Sequence, residues 1–87
     1  MAVKTIEAPI PGTFYRRPAP DQPSFKNEGD AVSVGDSVGL IEVMKTFTQV
    51  VYRPEKGLPA RATIVRVVAA DAGDVEEGGA LIVVAAR

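Results

Sequence analysis

The sequence predicts an all-β fold, and three features of the chain support this prediction. Short runs rich in Val, Ile, Thr and aromatic residues recur along the chain, and Gly, Pro or Asp separates them. No segment combines an N-terminal cap with about ten residues at helical spacing. With 87 residues, of which 46% are hydrophobic, the chain can bury one modest core. We therefore expect one domain over residues 1–87.

Five runs have the length and composition of strands. The run at 63–69 is short and β-branched, which favours a strand over a helix there. The five predicted strands are 13–15, 38–43, 46–52, 63–69 and 80–85. The residues predicted to supply the core are Val38, Ile41, Val65, Val67, Leu81 and Val83.

A faint internal repeat predicts an architecture of two related halves. Residues 29–41 recur in shortened form as residues 73–82. In each copy a Gly-Asp turn leads to a second glycine turn and then to an apolar strand. Coincidence is the alternative, because Gly and Asp build turns in any β protein. The repeat predicts a quasi-two-fold β structure.

Composition argues against several classes of function. Ten Lys plus Arg balance eleven Asp plus Glu without a basic cluster, so we expect no nucleic-acid partner. The chain has no Cys and no His, which excludes a thiolate nucleophile, a Cys or His zinc site and an imidazole base. It has no apolar signal core and no apolar run of membrane-spanning length, so we predict a cytoplasmic protein without a membrane partner.

Carboxylates are the remaining candidates for catalysis, and four of them cluster near the C-terminus. Asp71, Asp74, Glu76 and Glu77 all lie in the segment 71–79. The glycines and polar residues of this segment are typical of a solvated turn. We therefore predict no metal site, and a chain that is not itself an enzyme.

Met44 and Lys45 lie between two predicted strands with almost nothing to separate them. This spacing predicts that they are the central residues of a two-residue hairpin. Such turns need positive φ angles and normally use Asn-Gly or Asp-Gly, so Met-Lys is a costly choice. Strain at an exposed tip points to function. The alternative is a strand that continues through Lys45 as an edge lysine that protects against aggregation.

The same residues resemble the signature of the biotinyl domain family, which is Glu-Ala-Met-Lys-Met or a near variant. The matching positions are Glu42, Val43, Met44, Lys45 and Thr46, with Val43 in place of the usual Ala. Residues 8–16 resemble the family's opening strand, 29–40 the hairpin before its modified lysine, and 63–84 its closing repeat. The resemblance implies a flattened β-barrel or sandwich of two antiparallel four-stranded sheets, the barrel-sandwich hybrid of biotinyl and lipoyl domains.

A Pro-rich loop is expected at about residues 16–25, because its prolines disfavour a helix or a central strand. Its segment 20–23 fits a PxxP ligand, which is one interpretation. By resemblance the loop is the thumb of the acetyl-CoA carboxylase carriers. The resemblance implies that Arg17 and Pro18 can contact the cofactor, although Arg17 stands where bacterial carriers tend to have a small hydroxyl residue.

The resemblance further implies that Lys45 carries covalently attached biotin, with Glu42, Val43, Met44 and Thr46 as the recognition motif. A biotin protein ligase would attach it. Biotin would then carry CO2, as carboxybiotin, from a biotin carboxylase subunit to a carboxyltransferase subunit, most directly to turn acetyl-CoA into malonyl-CoA for fatty acid synthesis.

Two alternatives to this function stay open. One is a lipoyl-type carrier, whose turn presents Asp-Lys rather than Met-Lys. The other is an unmodified interaction module that uses the Pro-rich loop. A carrier also requires that one lysine be selected, and shape predicts Lys45. Lys4 is expected at a frayed terminus, Lys26 after the thumb, and Lys56 before a Gly-Leu-Pro turn.

Overall fold

The structure, a computed structural model, describes residues 3–55 and 57–86 and confirms the all-β prediction. The strands are β1 (Val3–Glu7), β2 (Gly12–Tyr15), β3 (Ala31–Ser33), β4 (Ser37–Val43), β5 (Thr46–Val51), β6 (Arg61–Val67), β7 (Gly73–Val75) and β8 (Ala80–Ala86). In the described part of the chain, no helix is long and apolar enough to cross a membrane.

The strands form two antiparallel four-stranded sheets that pack as a sandwich rather than a closed barrel. The first sheet has the order β1-β8-β6-β3, and the second has the order β5-β4-β2-β7. Exchanging β1 with β5, β8 with β4, β6 with β2 and β3 with β7 converts one order into the other. The predicted quasi-two-fold arrangement is therefore confirmed.

The internal repeat coincides with this symmetry. Residues 29–41 contain β3 and most of β4, and residues 73–82 contain β7 and the start of β8. In each copy the chain leaves the edge of one sheet, turns, and enters an inner strand of the other. A glycine at positive φ lies in each turn, Gly35 at 98° and Gly78 at 82°.

The core lies between the two sheets and is made of apolar side chains from both. Its largest fully buried members are Tyr52, Phe14, Ile41, Ile64, Leu81, Ile82, Val32 and Val84. Burying each large aliphatic or aromatic side chain stabilises the fold by roughly 1.5–3 kcal/mol. The Tyr52 hydroxyl donates a hydrogen bond to the Pro59 carbonyl, and burial raises the pKa of this phenol.

The core prediction is correct at three positions and wrong at two. Val38, Ile41 and Leu81 are buried, and Val67 packs against the core from a half-buried position. Val65 is 45% exposed, because β6 has a bulge between Ile64 and Arg66 that makes Val65 the extra residue.

Val83 is the second wrong core position. It is half-buried, whereas its neighbours Ile82 and Val84 are buried. Leu81 and Ile82 are both buried, so the inward-facing phase of β8 changes after Leu81. A strict alternation counted from Leu81 therefore assigns Val83 to the wrong face.

The sequence-based boundaries missed three strands. β1 lies where a frayed terminus was expected, and Lys4 in it pairs with Val84. β3 and β7 have three residues each, which is too short for an alternating pattern to show. β7 also lies inside the segment 71–79 that was predicted as a turn. Of the opening segment expected at 8–16, only β2 forms a strand, because the two prolines before β2 cannot donate hydrogen bonds to a sheet.

Two glycines allow the inner strands of the second sheet to support the hairpin that follows β4. A Cβ at Gly39 would lie 2.4 Å from the Phe14 ring, and a Cβ at Gly12 would lie 2.5 Å from the Glu42 carbonyl oxygen. Both are impossible contacts, so only glycine fits. These positions let β2 and the Phe14 ring pack closely against β4.

Candidate functional site

The predicted two-residue hairpin is present between β4 and β5. Val43 pairs with Thr46, which leaves Met44 and Lys45 as the two central residues. Their φ angles are 50° and 67°, as a type I′ turn requires. The alternative of a strand that runs on through Lys45 is therefore wrong. Two L-residues without a short polar side chain hold left-handed conformations here, which costs stability.

The tip of this hairpin is open to solvent. The Met44 side chain is 93% exposed, Val43 is 39% exposed, and Lys45 and Thr46 are also exposed. A large apolar side chain so far from the core gains nothing for folding. The arrangement presents the Lys45 amine beside an apolar neighbour, where an enzyme can reach both.

The other lysines differ from Lys45 in their surroundings. Lys26 Nζ donates to the Ala31 carbonyl at 3.0 Å and forms an ion pair with Asp36 at 3.2 Å. Lys4 lies within the edge strand β1, not at a loose end. Lys56 lies outside the described residues. Of the described lysines, Lys45 alone occupies a hairpin tip.

Glu42, the first residue of the motif, is half-buried and bonded. The Tyr15 hydroxyl donates to Glu42 Oε1 at 2.9 Å. This hydrogen bond to Glu42 raises the pKa of Tyr15, as do burial and the charges of Glu42 and Asp71. Across the hairpin Glu42 pairs with Phe47, whose ring centroid is 6.1 Å from that of Tyr15. The Tyr15 and Phe47 rings therefore lie on the face of the sheet that carries Glu42.

The Pro-rich segment 16–25 forms a loop that closes on its own base. Phe25 N–H donates to the Arg16 carbonyl at 2.8 Å, and Gln22 N–H donates to the Ala19 carbonyl at 3.0 Å in the tip. Asp71 accepts from the Arg16 N–H at 2.8 Å and lies 3.8 Å from Arg17 Nε. We call residues 16–25 the thumb.

A cleft of about 290 Å³ lies between the thumb and the loop that precedes β7. Its lining residues are Tyr15, Arg17, Pro18, Ala19, Pro20, Asp71 and Ala72. Arg17 and Pro18, both named from the sequence, are thus placed together on one wall. Tyr15 joins this cleft to the hairpin, because it also bonds Glu42. A larger cleft of about 390 Å³ between β1 and β5 contains none of the predicted site residues.

The structure adds Tyr15 and Phe47 to the site, which the sequence did not single out. It also adds Asp71, which the sequence analysis considered only as a catalytic carboxylate. Phe47 is a large apolar residue that is 57% exposed rather than part of the core. Only the strand register shows that it lies on the same face of the sheet as Glu42. Asp71 had been assigned to a solvated turn with Asp74, Glu76 and Glu77. All four are exposed, but Asp71 also binds the thumb.

Asp74, a second of the four carboxylates, also makes a side-chain contact. Asp74 accepts a long bond of 3.4 Å from the Thr13 hydroxyl. In the described residues, no three carboxylate, imidazole or thiol groups lie close enough to hold a metal ion. The features that call for a functional explanation are the strained hairpin and the thumb cleft, which Tyr15 connects.

Comparison with known proteins first gives the class of this chain. The family model described as "Biotin-requiring enzyme" matches residues 4–84. The match covers nearly the whole chain, so the protein belongs to this family. The fold agrees with that assignment, and the expectation of biotin as the cofactor is confirmed at the level of the family.

Individual relatives then narrow the resemblance. The chain is 39% identical over 79 residues to the chloroplastic biotin carboxyl carrier protein of acetyl-CoA carboxylase from Glycine max, covering 91% of this chain and 28% of the relative. It is 36% identical over 80 residues to the chloroplastic biotin carboxyl carrier protein of acetyl-CoA carboxylase 2 from Arabidopsis thaliana, covering 92% of this chain and 29% of the relative. The carrier of Chlamydia pneumoniae is 49% identical over 45 residues, which is 52% of this chain and 27% of that protein. The chain thus spans less than a third of the length of these relatives.

The residues present fit a covalently attached biotin. Amide formation needs an accessible primary amine, and Lys45 offers one at an exposed tip. The strained turn fixes the backbone around that amine, so a ligase would meet a defined shape rather than a flexible loop. The thumb cleft next to Tyr15 has apolar proline walls and a cation, which suits an apolar ring system with polar edges.

Proposed function

We propose that Lys45 is the site of biotin attachment and that the chain serves as a biotin carboxyl carrier domain. The observation that carries this proposal is the type I′ hairpin with positive φ at both Met44 and Lys45. A turn under selection for stability alone would use Asn-Gly. The names of the relatives support biotin over lipoic acid as the group attached there.

The division of labour in this proposal leaves no catalytic step to the chain. Bound biotin supplies the transfer of a carboxyl group between two active sites. The chain supplies a tether, because the Lys45 side chain adds reach and the hairpin holds its base. A biotin protein ligase, a biotin carboxylase and a carboxyltransferase are the partners we propose, with acetyl-CoA as the acceptor and the cytoplasm as the location.

The thumb has a supporting role in the proposal. Arg17 and Pro18 would contact the biotin ring from the wall of the cleft, which Tyr15 also lines. Deleting residues 17–24 should leave a folded domain, because a surface loop tolerates shortening. The deletion should still slow carboxyl transfer through the complete carboxylase. Unchanged transfer would count against a role of the thumb.

Site mapping tests the attachment residue directly. The wild-type protein is incubated with a biotin protein ligase, ATP and biotin, digested, and the labelled peptide sequenced by mass spectrometry. We expect one biotin on Lys45 and none after Lys45→Arg, with a change in the free energy of unfolding of less than about 0.5 kcal/mol, as for an exposed site. The matched controls are Lys4→Arg and Lys26→Arg, which should label as fast as wild type. Biotin on another lysine, or an undiminished label on Lys45→Arg, would overturn the proposal.

The intact mass of the protein from its native host separates the remaining classes of function. A biotin-sized addition supports the carrier proposal, a lipoyl-sized addition contradicts it in favour of a lipoyl carrier, and an unmodified mass favours an interaction module. Met44→Leu is a useful companion, because it conserves volume. We expect this variant to accept biotin but to transfer the carboxyl group less well.

A further inference from the structure

We infer that Asp71 is a positioning residue that holds the thumb closed beside the Lys45 hairpin. Each oxygen of its carboxylate contacts a different residue at the base of the thumb. Oδ1 accepts from the Arg16 N–H at 2.8 Å, and Oδ2 lies 3.8 Å from Arg17 Nε. The inference deepens the proposed function, and it rests on that function only for the effect of the thumb on biotin.

The backbone around Asp71 is fixed from the side of the second sheet. Ala72 N–H donates to the Phe14 carbonyl at 2.7 Å, and Gly73 N–H donates to the Ala70 carbonyl at 3.1 Å. Gly73 also pairs with Phe14 in the sheet. Ala72 has a φ angle of 62°, a left-handed conformation that disfavours alanine. The sandwich therefore holds this loop in one conformation, and the carboxylate is presented from a rigid support.

Arg16 connects the Asp71 carboxylate to both ends of the thumb. Its N–H binds Asp71, and its carbonyl accepts the Phe25 N–H that closes the loop. Its guanidinium reaches the Lys26 carbonyl at 3.5 Å and the Asn27 side-chain oxygen at 3.4 Å. The first and last residues of the thumb are thus joined at Arg16. Loss of the bond to Asp71 would release one of these four hydrogen bonds of Arg16.

Arg17 gives the carboxylate a second, electrostatic hold on the thumb. Both side chains of the pair are 40% exposed, so the attraction is modest and screened by salt. The Nε atom of Arg17 is itself buried and has no hydrogen-bond partner. Removing the negative charge of Asp71 would leave this buried N–H without any compensating charge. Asp71 and Arg17 also line the same cleft, so their contact sets its width.

The test measures amide hydrogen exchange in unmodified protein, so it does not depend on whether Lys45 carries biotin. The variants are Asp71→Ala, which removes both contacts, Asp71→Asn, which keeps an acceptor for the Arg16 N–H, and Arg17→Gln, which removes only the ion pair. The matched control is Asp74→Ala, three residues away and also exposed.

Asp71→Ala should raise the exchange rate of the Arg16 amide by about tenfold, the effect of one charge-assisted hydrogen bond. The Gln22 and Phe25 amides should follow. Asp71→Asn and Arg17→Gln should leave the Arg16 amide protected while the Gln22 and Phe25 amides exchange roughly two- to fivefold faster, as for an exposed ion pair. Added salt should speed these two amides in wild type and not in Arg17→Gln.

A merely structural role for Asp71 predicts a different pattern. Core amides, such as Ile64 N–H on the Asp30 carbonyl, would then lose protection together with the thumb. That pattern, or thumb amides unchanged in Asp71→Ala, would overturn the inference. With biotin attached, its capture by avidin should be several-fold faster in Asp71→Ala than in Asp74→Ala. Equal capture rates would overturn the part of the inference that concerns biotin.

Discussion

Strand β4 has a turn at each end, and the two turns are built on opposite principles. At its start, residues 33–36 connect β3 to β4 with glycine at the left-handed position, Gly35. At its end, Met44 and Lys45 hold two left-handed positions without glycine or asparagine. The same chain thus uses favourable turn residues at one end of β4 and unfavourable ones at the other.

The first turn is also held by several hydrogen bonds and an ion pair. Ser33 N–H donates to Asp36 Oδ2 at 2.9 Å, and Asp36 N–H donates back to the Ser33 carbonyl at 3.0 Å. Gly35 N–H donates to the Tyr52 carbonyl at 2.9 Å, and Lys26 forms an ion pair with Asp36. The difference teaches that the cost of the second turn is not a general weakness of this sequence. Apart from Ala72, the described non-glycine residues with a positive φ angle are Met44 and Lys45, which are the residues that the proposed function needs.

Of the changes to the two turns, the largest effect on stability should come from replacing the glycine of the first turn. Gly35→Val puts a β-branched residue at φ 98°, which should destabilise the fold by about 2 kcal/mol. Nothing lies within 4 Å of an added Cβ, so the loss would come from backbone strain rather than from a collision. Urea unfolding measures it.

Gly35→Asn separates strain from size in that experiment. Asparagine tolerates positive φ, so this variant should lose less than about 1 kcal/mol. Both variants should still accept biotin on Lys45, because the hairpin at the other end of β4 is untouched. A stability of Gly35→Val within about 0.5 kcal/mol of wild type would contradict the contrast drawn between the two turns.

The converse change at the second turn should stabilise the protein. Replacing Met44 with Asn and Lys45 with Gly gives the preferred type I′ sequence. Relief of strain should exceed the entropic cost of fixing glycine in the folded state, so we expect the free energy of unfolding to rise by about 1 kcal/mol. The gain should be accompanied by complete loss of biotin labelling. Lys45→Arg is the control, because it should lose the label without gaining stability. A double variant no more stable than wild type would mean that the hairpin carries no strain.

Asp36 makes the first turn sensitive to acid. The N–H of Ser33 lowers the pKa of Asp36 most, and the Lys26 ammonium lowers it further. A carboxyl whose folded pKa is depressed adds stability above its unfolded pKa of about 3.9, and that stability is lost as the pH falls through the folded value. Wild type should therefore exceed Asp36→Asn in stability at pH 7, and the difference should shrink below about pH 4. Lys26→Met should weaken this pH dependence. A difference that is constant from neutral to acid pH would exclude the linkage.

Local patterns in the sequence were sufficient to predict the hairpin and the repeat. Met44 and Lys45 lie between two apolar runs, a spacing that predicted a tight turn but left open a strand continuing through Lys45, and the Gly-Asp turns recur in both halves. The position of Val65 could not be predicted, because a bulge changes which residues face inward and leaves no compositional mark. The contact between Arg16 and Asp71 joins residues 55 positions apart, and nothing local encodes it. The same is true of Tyr15 and Glu42, which only the register of β2 and β4 brings together.

The smallest predicted effect concerns the support that the second turn does have. Tyr15→Phe removes the hydroxyl that binds Glu42 and keeps the ring that lies beside Phe47. Glu42 would lose its fixed orientation at the start of the motif, so we expect the rate of biotin labelling to fall by roughly two- to tenfold, the range for one hydrogen bond.

The raised pKa of Tyr15 means that the bond is fully present at neutral pH and is lost only as the pH rises above about 10, so the labelling assay at pH 7 tests it in full. In a Glu42→Gln background the same change should have less effect, since the charged acceptor is already gone. Equal losses in the two backgrounds would show that Tyr15 acts on labelling by some route other than Glu42.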